Sequence, residues 1–158
     1  MSEPLQAYLH DHLAGAVVAV EILEVLRDQH AGEELGRFAG DLLTEVEADR
    51  NVLRDLAERA GAESNPLKEA TAWVGEKVAR LKLGREAAGE LGTFEALEAL
   101  ALGILGKRAL WRALKVVAGR FEPLRNLDLD ELAARAEAQH ARVEERRLEI
   151  ARAALRNP

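Results

Sequence analysis

The sequence predicts an all-α protein, and three observations carry that prediction. Ala, Leu, Glu and Arg, which are good helix formers or neutral to helices, dominate the 158 residues, whereas only 4% are aromatic and no segment alternates as a strand would. Apolar residues recur at three- and four-residue steps over long stretches. Gly32, Gly61 and Pro123 punctuate those stretches where helices would end. Five helices in one domain spanning 1–158 follow, and the chain is long enough to bury a substantial core.

The first predicted helix, organised around Leu5 to Leu26 and ending near Gly32, sets the frame. At about 100° per residue, Leu5, Tyr8, Leu9, His12, Ala16, Ala19, Leu23 and Leu26 share a face, and His10, Glu21, Glu24 and Asp28 oppose it. His12 sits at the centre of the apolar face, where an imidazole needs a polar partner. The second helix runs from Glu33 to Ala60, with Leu35, Phe38, Leu42, Val46, Asp49, Leu53 and Leu56 inward. So short a connection makes the two an antiparallel hairpin.

Asn65-Pro66 starts a third, peripheral helix over Pro66 to Leu83, because proline is tolerated at the first helical position. Its stripe is narrow, and Trp73 at the stripe's edge reads as a plug against the bundle. The fourth helix, Phe94 to Ala118, aligns Leu97, Leu100, Ile104, Lys107, Trp111, Leu114 and Ala118, so Lys107 alone interrupts an apolar seam. Gly103 and Gly106 lie inside it, each unfavourable by up to about 1 kcal/mol relative to alanine. Either close approach of a neighbouring helix or room for a ligand beside Lys107 would account for them. Asp128 and Glu131 have capping-box spacing at the start of the last helix, Leu129 to Leu155, which turns Leu132, Ala136, Gln139, Val143, Ile150 and Ala154 inward.

Composition excludes several function classes. There is no cysteine, hence no disulfide framework and no thiolate metal site. The longest apolar run, Leu13 to Val20, is too short to span a bilayer, and the start MSEPLQAY lacks the pattern of a signal peptide, so a cytoplasmic protein is expected. A net charge of -6 disfavours nucleic acid and anionic membranes as partners. The arginines of the last helix are interleaved with glutamates and read as a solvated face. Phosphate-loop, Ser-His-Asp and His-Glu-x-x-His motifs are absent. Homodimerisation through an outer face suits a bundle of this size, although no exposed stripe names the interface.

Two long helical hairpins joined by a connection that carries a shorter helix resemble the ferritin-like superfamily. The resemblance implies a four-helix bundle of two antiparallel hairpins with a crossover helix, against which a simple up-and-down bundle is the rival topology. Metal-binding members use Glu from two helices and Glu-x-x-His from the other two. Here Glu137-Ala138-Gln139-His140 matches, Glu47-Ala48-Asp49-Arg50 carries arginine where histidine would ligate, and Glu21 and Glu98 turn away from the apolar stripes. The resemblance implies the fold more strongly than a di-metal reaction.

Hairpin geometry places His12 opposite Asp49, and Lys107 one turn from Gln139 and His140. A polar layer of His12, Asp49, Lys107, Gln139 and His140 is therefore expected inside the bundle. Three readings of it stand side by side. It is a satisfied polar network in a non-enzymatic binding or assembly protein, with no cofactor. Alternatively, His12, Asp49, Glu137 and His140 hold iron, manganese or zinc for an oxidase or metal-handling role. In the third reading, Lys107, Trp111 and Arg147 line a pocket for a small anionic or amphipathic ligand.

Overall fold

The computed structural model describes residues 3–61 and 89–156. Among these residues there are four α-helices and no strand: α1 (Glu3–Gln29), α2 (Glu34–Arg59), α3 (Glu90–Val117) and α4 (Leu129–Ala154). Two short 3-10 turns, Ala118–Arg120 and Glu122–Leu124, join α3 to α4. The helix predicted over Pro66 to Leu83, with Trp73, lies outside the described residues.

Local chemistry sets the helix ends. Gly32 and Gly61 take φ of 84° and 78°, the left-handed region where an L side chain is strained, and each follows a helix that stops there. Beside the first turn, a Cβ on Gly36 would run into the backbone carbonyl of His30, so α2 can approach the end of α1 only with glycine at that position. The Asp128 carboxylate accepts from the Glu131 backbone N–H at 3.0 Å and caps α4. α3 begins at Glu90, earlier than the expected Phe94, because Gly89 absorbs the turn at φ 53° and the first helical turn carries Gly92 along.

Contacts between helix ends fix the directions. Gln6 Nε2 donates to the Ala60 carbonyl at 2.6 Å, placing the start of α1 against the end of α2. Lys115 Nζ reaches both carboxylate oxygens of Asp130, at 2.5 and 2.6 Å, joining the end of α3 to the start of α4. His30 lies 3.4 Å from the Thr93 hydroxyl, bringing the end of α1 to the start of α3. Arg146 donates to Glu34 at 2.7 Å, so the last turns of α4 meet the first turn of α2. α1 is thus antiparallel to both α2 and α3, while α2 and α3 run the same way. The chain leaves α2 at one end of the bundle and enters α3 at the other.

The core divides along the bundle axis. One cluster gathers Leu23, Leu26, Leu42, Leu97 and Leu100 with their neighbours at the end where α1 finishes. The other gathers Leu9, Leu56, Leu110, Trp111, Leu114 and Leu124 at the end where α1 starts. Among the described residues, the polar side chains buried along with these clusters are Asp49 and Gln139. α1 packs on α2 along one flank and on α3 along the other, which is why it is apolar around most of its circumference. No described helix is long and apolar enough to cross a membrane.

Candidate functional site: a polar layer beside a cavity

The apolar stripes of α2, α3 and α4 are interrupted at Asp49, Lys107 and Gln139, and packing brings these three side chains together. Lys107 Nζ donates to Asp49 Oδ2 at 2.6 Å and to Gln139 Oε1 at 2.5 Å. Gln139 Nε2 donates in turn to Asp49 Oδ2 at 3.2 Å and to Glu45 Oε2 at 3.1 Å. Arg142 donates to the same Glu45 oxygen at 2.6 Å. On the other side of Asp49, Arg135 Nη2 stands 2.6 Å from Oδ1, close enough for strong attraction, although no N–H is aligned with that oxygen.

Burial and pairing act in opposition on these groups. Desolvation pulls the Lys107 ammonium below its ordinary pKa; Asp49 works against that shift and the Arg135 charge adds to it. Burial pushes the Glu45 carboxyl up, but hydrogen bonds from Arg142 and Gln139 outweigh it and leave the group below the usual carboxylate range. With Glu45 balanced by Arg142, Asp49 is one negative charge facing two cations. The layer carries one surplus positive charge.

The remaining expected members of the layer lie elsewhere. His12 makes no hydrogen bond to Asp49; its ring packs edge-on against Tyr8 with centroids 4.6 Å apart, and burial lowers its pKa while Asp11 opposes the shift. The hairpin rule that paired His12 with Asp49 fixes height along the axis but not direction around it, and Lys107 and Arg135 occupy the carboxylate instead. His140 is half-buried on the flank of α4 near Glu144, whose carboxyl is held low by its hydrogen bonds from Arg147 and, to a smaller degree, by His140. Glu137 is exposed and 3.7 Å from Arg108. His12, Asp49, Glu137 and His140 therefore do not converge, and among the described residues no three His, Asp or Glu side chains form a metal-binding group. The residues present do not fit the di-metal centre of the ferritin-like resemblance.

A cavity of about 200 Å³ adjoins the layer, lined from α1, α2 and α3. His12, Ala16 and Ala19, the middle of the face expected to be most buried, line it and are only half-buried for that reason. Val46, Leu53, Ile104, Leu110 and Trp111 belong to its apolar lining, and Asp49 and Lys107 bring the polar layer to it. Gly15, Gly103 and Gly106 border it, and a Cβ added to any of them would meet nothing within 4 Å. Of the two explanations for glycine inside α3, the structure selects room over helix contact. Exposure of Gly15 and Gly103 shows that the cavity opens to solvent between α1 and α3.

Trp111 is fully buried, and its indole N–H has no acceptor among the described residues. Arg147, expected in the same pocket, is absent from it. Its guanidinium donates to Glu144 at 2.5 and 2.8 Å and to Glu98 at 3.2 Å, and lies 5.1 Å from the Phe94 ring centroid toward the start of α3. The cation that joins Lys107 in the layer is Arg135.

No family model, curated protein or solved structure matches this chain.

Sequence reasoning missed Arg135, Glu45 and Arg142, and a signal for them existed. Glu45 lies one turn before Asp49, and Arg135 and Arg142 lie one turn to either side of Gln139. Side chains at those spacings share a face with the buried polar residue and are long enough to reach it from the flank.

Proposed function

We propose that the protein is a non-enzymatic, ferritin-like helical bundle that binds a small molecule in the cavity beside its polar layer. The fold reading is supported by the parallel course of α2 and α3, since a simple up-and-down bundle would run them in opposite directions. The binding reading rests on a single observation: a cavity of about 200 Å³, open to solvent, that three helices line with apolar side chains and with Lys107 and Asp49 of the polar layer. Pockets of that make-up, mostly apolar with a few polar groups, are where small molecules bind. Among the described residues no three His, Asp or Glu side chains form a metal-binding group, so small-molecule binding rather than metal chemistry is the role the cavity supports.

Titration with toluene, a neutral probe of the apolar wall, tests this reading. Saturable one-site binding is expected, with amide shifts clustered at Ala16, Gly103 and Gly106. The Gly106→Leu variant, whose side chain would occupy the open space, should abolish it. Shifts scattered over the surface, or binding that survives Gly106→Leu, would remove the cavity from consideration.

A further inference from the structure

The outer face of α3 carries a second apolar stripe, on which we infer that two copies of this chain pair antiparallel as a two-fold dimer. Leu91, Glu95, Glu98, Leu102, Leu105, Ala109, Arg112 and Val116 follow one another at alternating four- and three-residue steps, the spacing of a helix–helix seam, and every one of them is exposed. Six large hydrophobic side chains are exposed among the described residues, and Leu91, Leu102, Leu105 and Val116 are four of them, with Leu102 65% and Val116 86% accessible. Leu97, Leu100, Ile104, Trp111 and Leu114 already give α3 a buried face toward the bundle. A helix apolar on both sides is one that is covered on both sides. Periodicity alone does not tell this stripe from the flank of the core; exposure does.

The charges on the stripe choose its occupant and the occupant's direction. Glu95 and Glu98 stand in the first half and Arg112 in the second. Glu98 is held by Arg147 of its own chain at 3.2 Å. Glu95 and Arg112 have no ion-pair partner among the described residues, and no opposite charge lies three or four positions from either on the helix. An antiparallel pairing centred between Leu102 and Leu105 sets Leu102 against the partner's Leu105, Leu91 against the partner's Val116, and Glu95 against the partner's Arg112, and the two-fold axis repeats each contact. Glu98, already paired, falls opposite the partner's Ala109 and needs nothing from it. A parallel pairing would stack glutamate on glutamate and arginine on arginine, which like charges oppose. A uniformly acidic or uniformly basic partner would satisfy one half of the stripe and repel the other.

Size sets the strength. At about 1.5 Å per residue the stripe is about 38 Å long, but it is only one helix wide, which places the contact at the small end of specific interfaces. The dimer should dissociate on dilution.

Sedimentation velocity of the full chain between about 5 and 500 µM should show monomer passing into dimer as concentration rises. Leu102→Glu, Glu95→Arg and Arg112→Glu should each weaken that association at least about tenfold. All three alter exposed side chains, and circular dichroism melts of the dilute monomers should match that of the unchanged chain. The deciding step is to mix the two charge variants. Glu95→Arg alone and Arg112→Glu alone each set like charges at both ends of their own dimer, whereas one copy of each sets opposite charges at both ends. An equimolar mixture should therefore recover the dimer that neither forms by itself. A monomer at every concentration would overturn the inference, and a Leu102→Glu monomer that melted lower would then assign the stripe to a cover supplied by residues 62–88 of the same chain. A dimer indifferent to Leu102→Glu, or a mixture of the charge variants that stays monomeric, would overturn it as well.

Discussion

Two aspartates in this molecule hold a lysine at nearly the same distance and do opposite things for it. Asp49 Oδ2 lies 2.6 Å from Lys107 Nζ, with the two side chains 3% and 15% exposed; Asp130 Oδ1 lies 2.5 Å from Lys115 Nζ, with both more than half exposed. At the surface, water and salt screen the attraction, and either partner is well solvated without the other. Inside the bundle neither partner has that alternative, so the pair matters less for what it adds than for what its breaking would leave behind. Distance alone does not rank ion pairs.

Breaking each pair in turn sharpens the contrast. Asp49→Ala would strand Lys107 and Arg135, and should reduce stability by about 3–5 kcal/mol, measured by urea unfolding. Adding Lys107→Met should restore most of that loss, because the uncompensated buried ammonium goes with it; a double variant no more stable than Asp49→Ala alone would show that Arg135 is the partner that counts. Next in size is a gain. Gly106→Ala adds a Cβ in open space within α3 and should raise stability by about 0.5–1 kcal/mol in the same assay.

Acid titration probes the edge of the layer. Glu45 is held below its ordinary pKa in the folded protein, so below about pH 4.5 the unfolded chain takes up the proton first. Its contribution is complete above that value and is lost as pH falls toward the folded pKa. Glu45→Gln should therefore flatten the acid limb of the stability curve. His12 titrates with the same sign. Burial lowers its pKa, so stability should decline as pH drops from about 6.5 toward the folded value, and His12→Gln should remove that slope. Smallest of all, Lys115→Ala should cost about 1 kcal/mol or less, and 0.5 M salt should erase the difference.

The same contrast explains what could be read from the chain. For the four described helices, positions followed from periodicity and several ends from Gly32, Gly61 and Asp128, since each acts through its own neighbourhood. Asp49, Lys107 and Gln139 were visible because each breaks an otherwise apolar stripe. Their pairing was harder to reach. His12 stands at the right height for Asp49 but faces the cavity, and Arg135 reaches Asp49 from a flank that a stripe analysis assigns to solvent. The metal set failed on the same point, for Glu137 and His140 are near Gln139 in sequence but project away from it around α4. The cavity itself could not be read from any one helix. It exists because small residues on α1 and α3, Gly15, Ala16, Ala19, Gly103 and Gly106, meet at one level.

That cavity also bears on where the bundle opens locally. Small side chains leave little apolar contact between α1 and α3 at that level, and segments with few buried apolar contacts open at low cost in free energy. Backbone amides of Ala16 and Gly106 should exchange with solvent before those of the leucine clusters at either end.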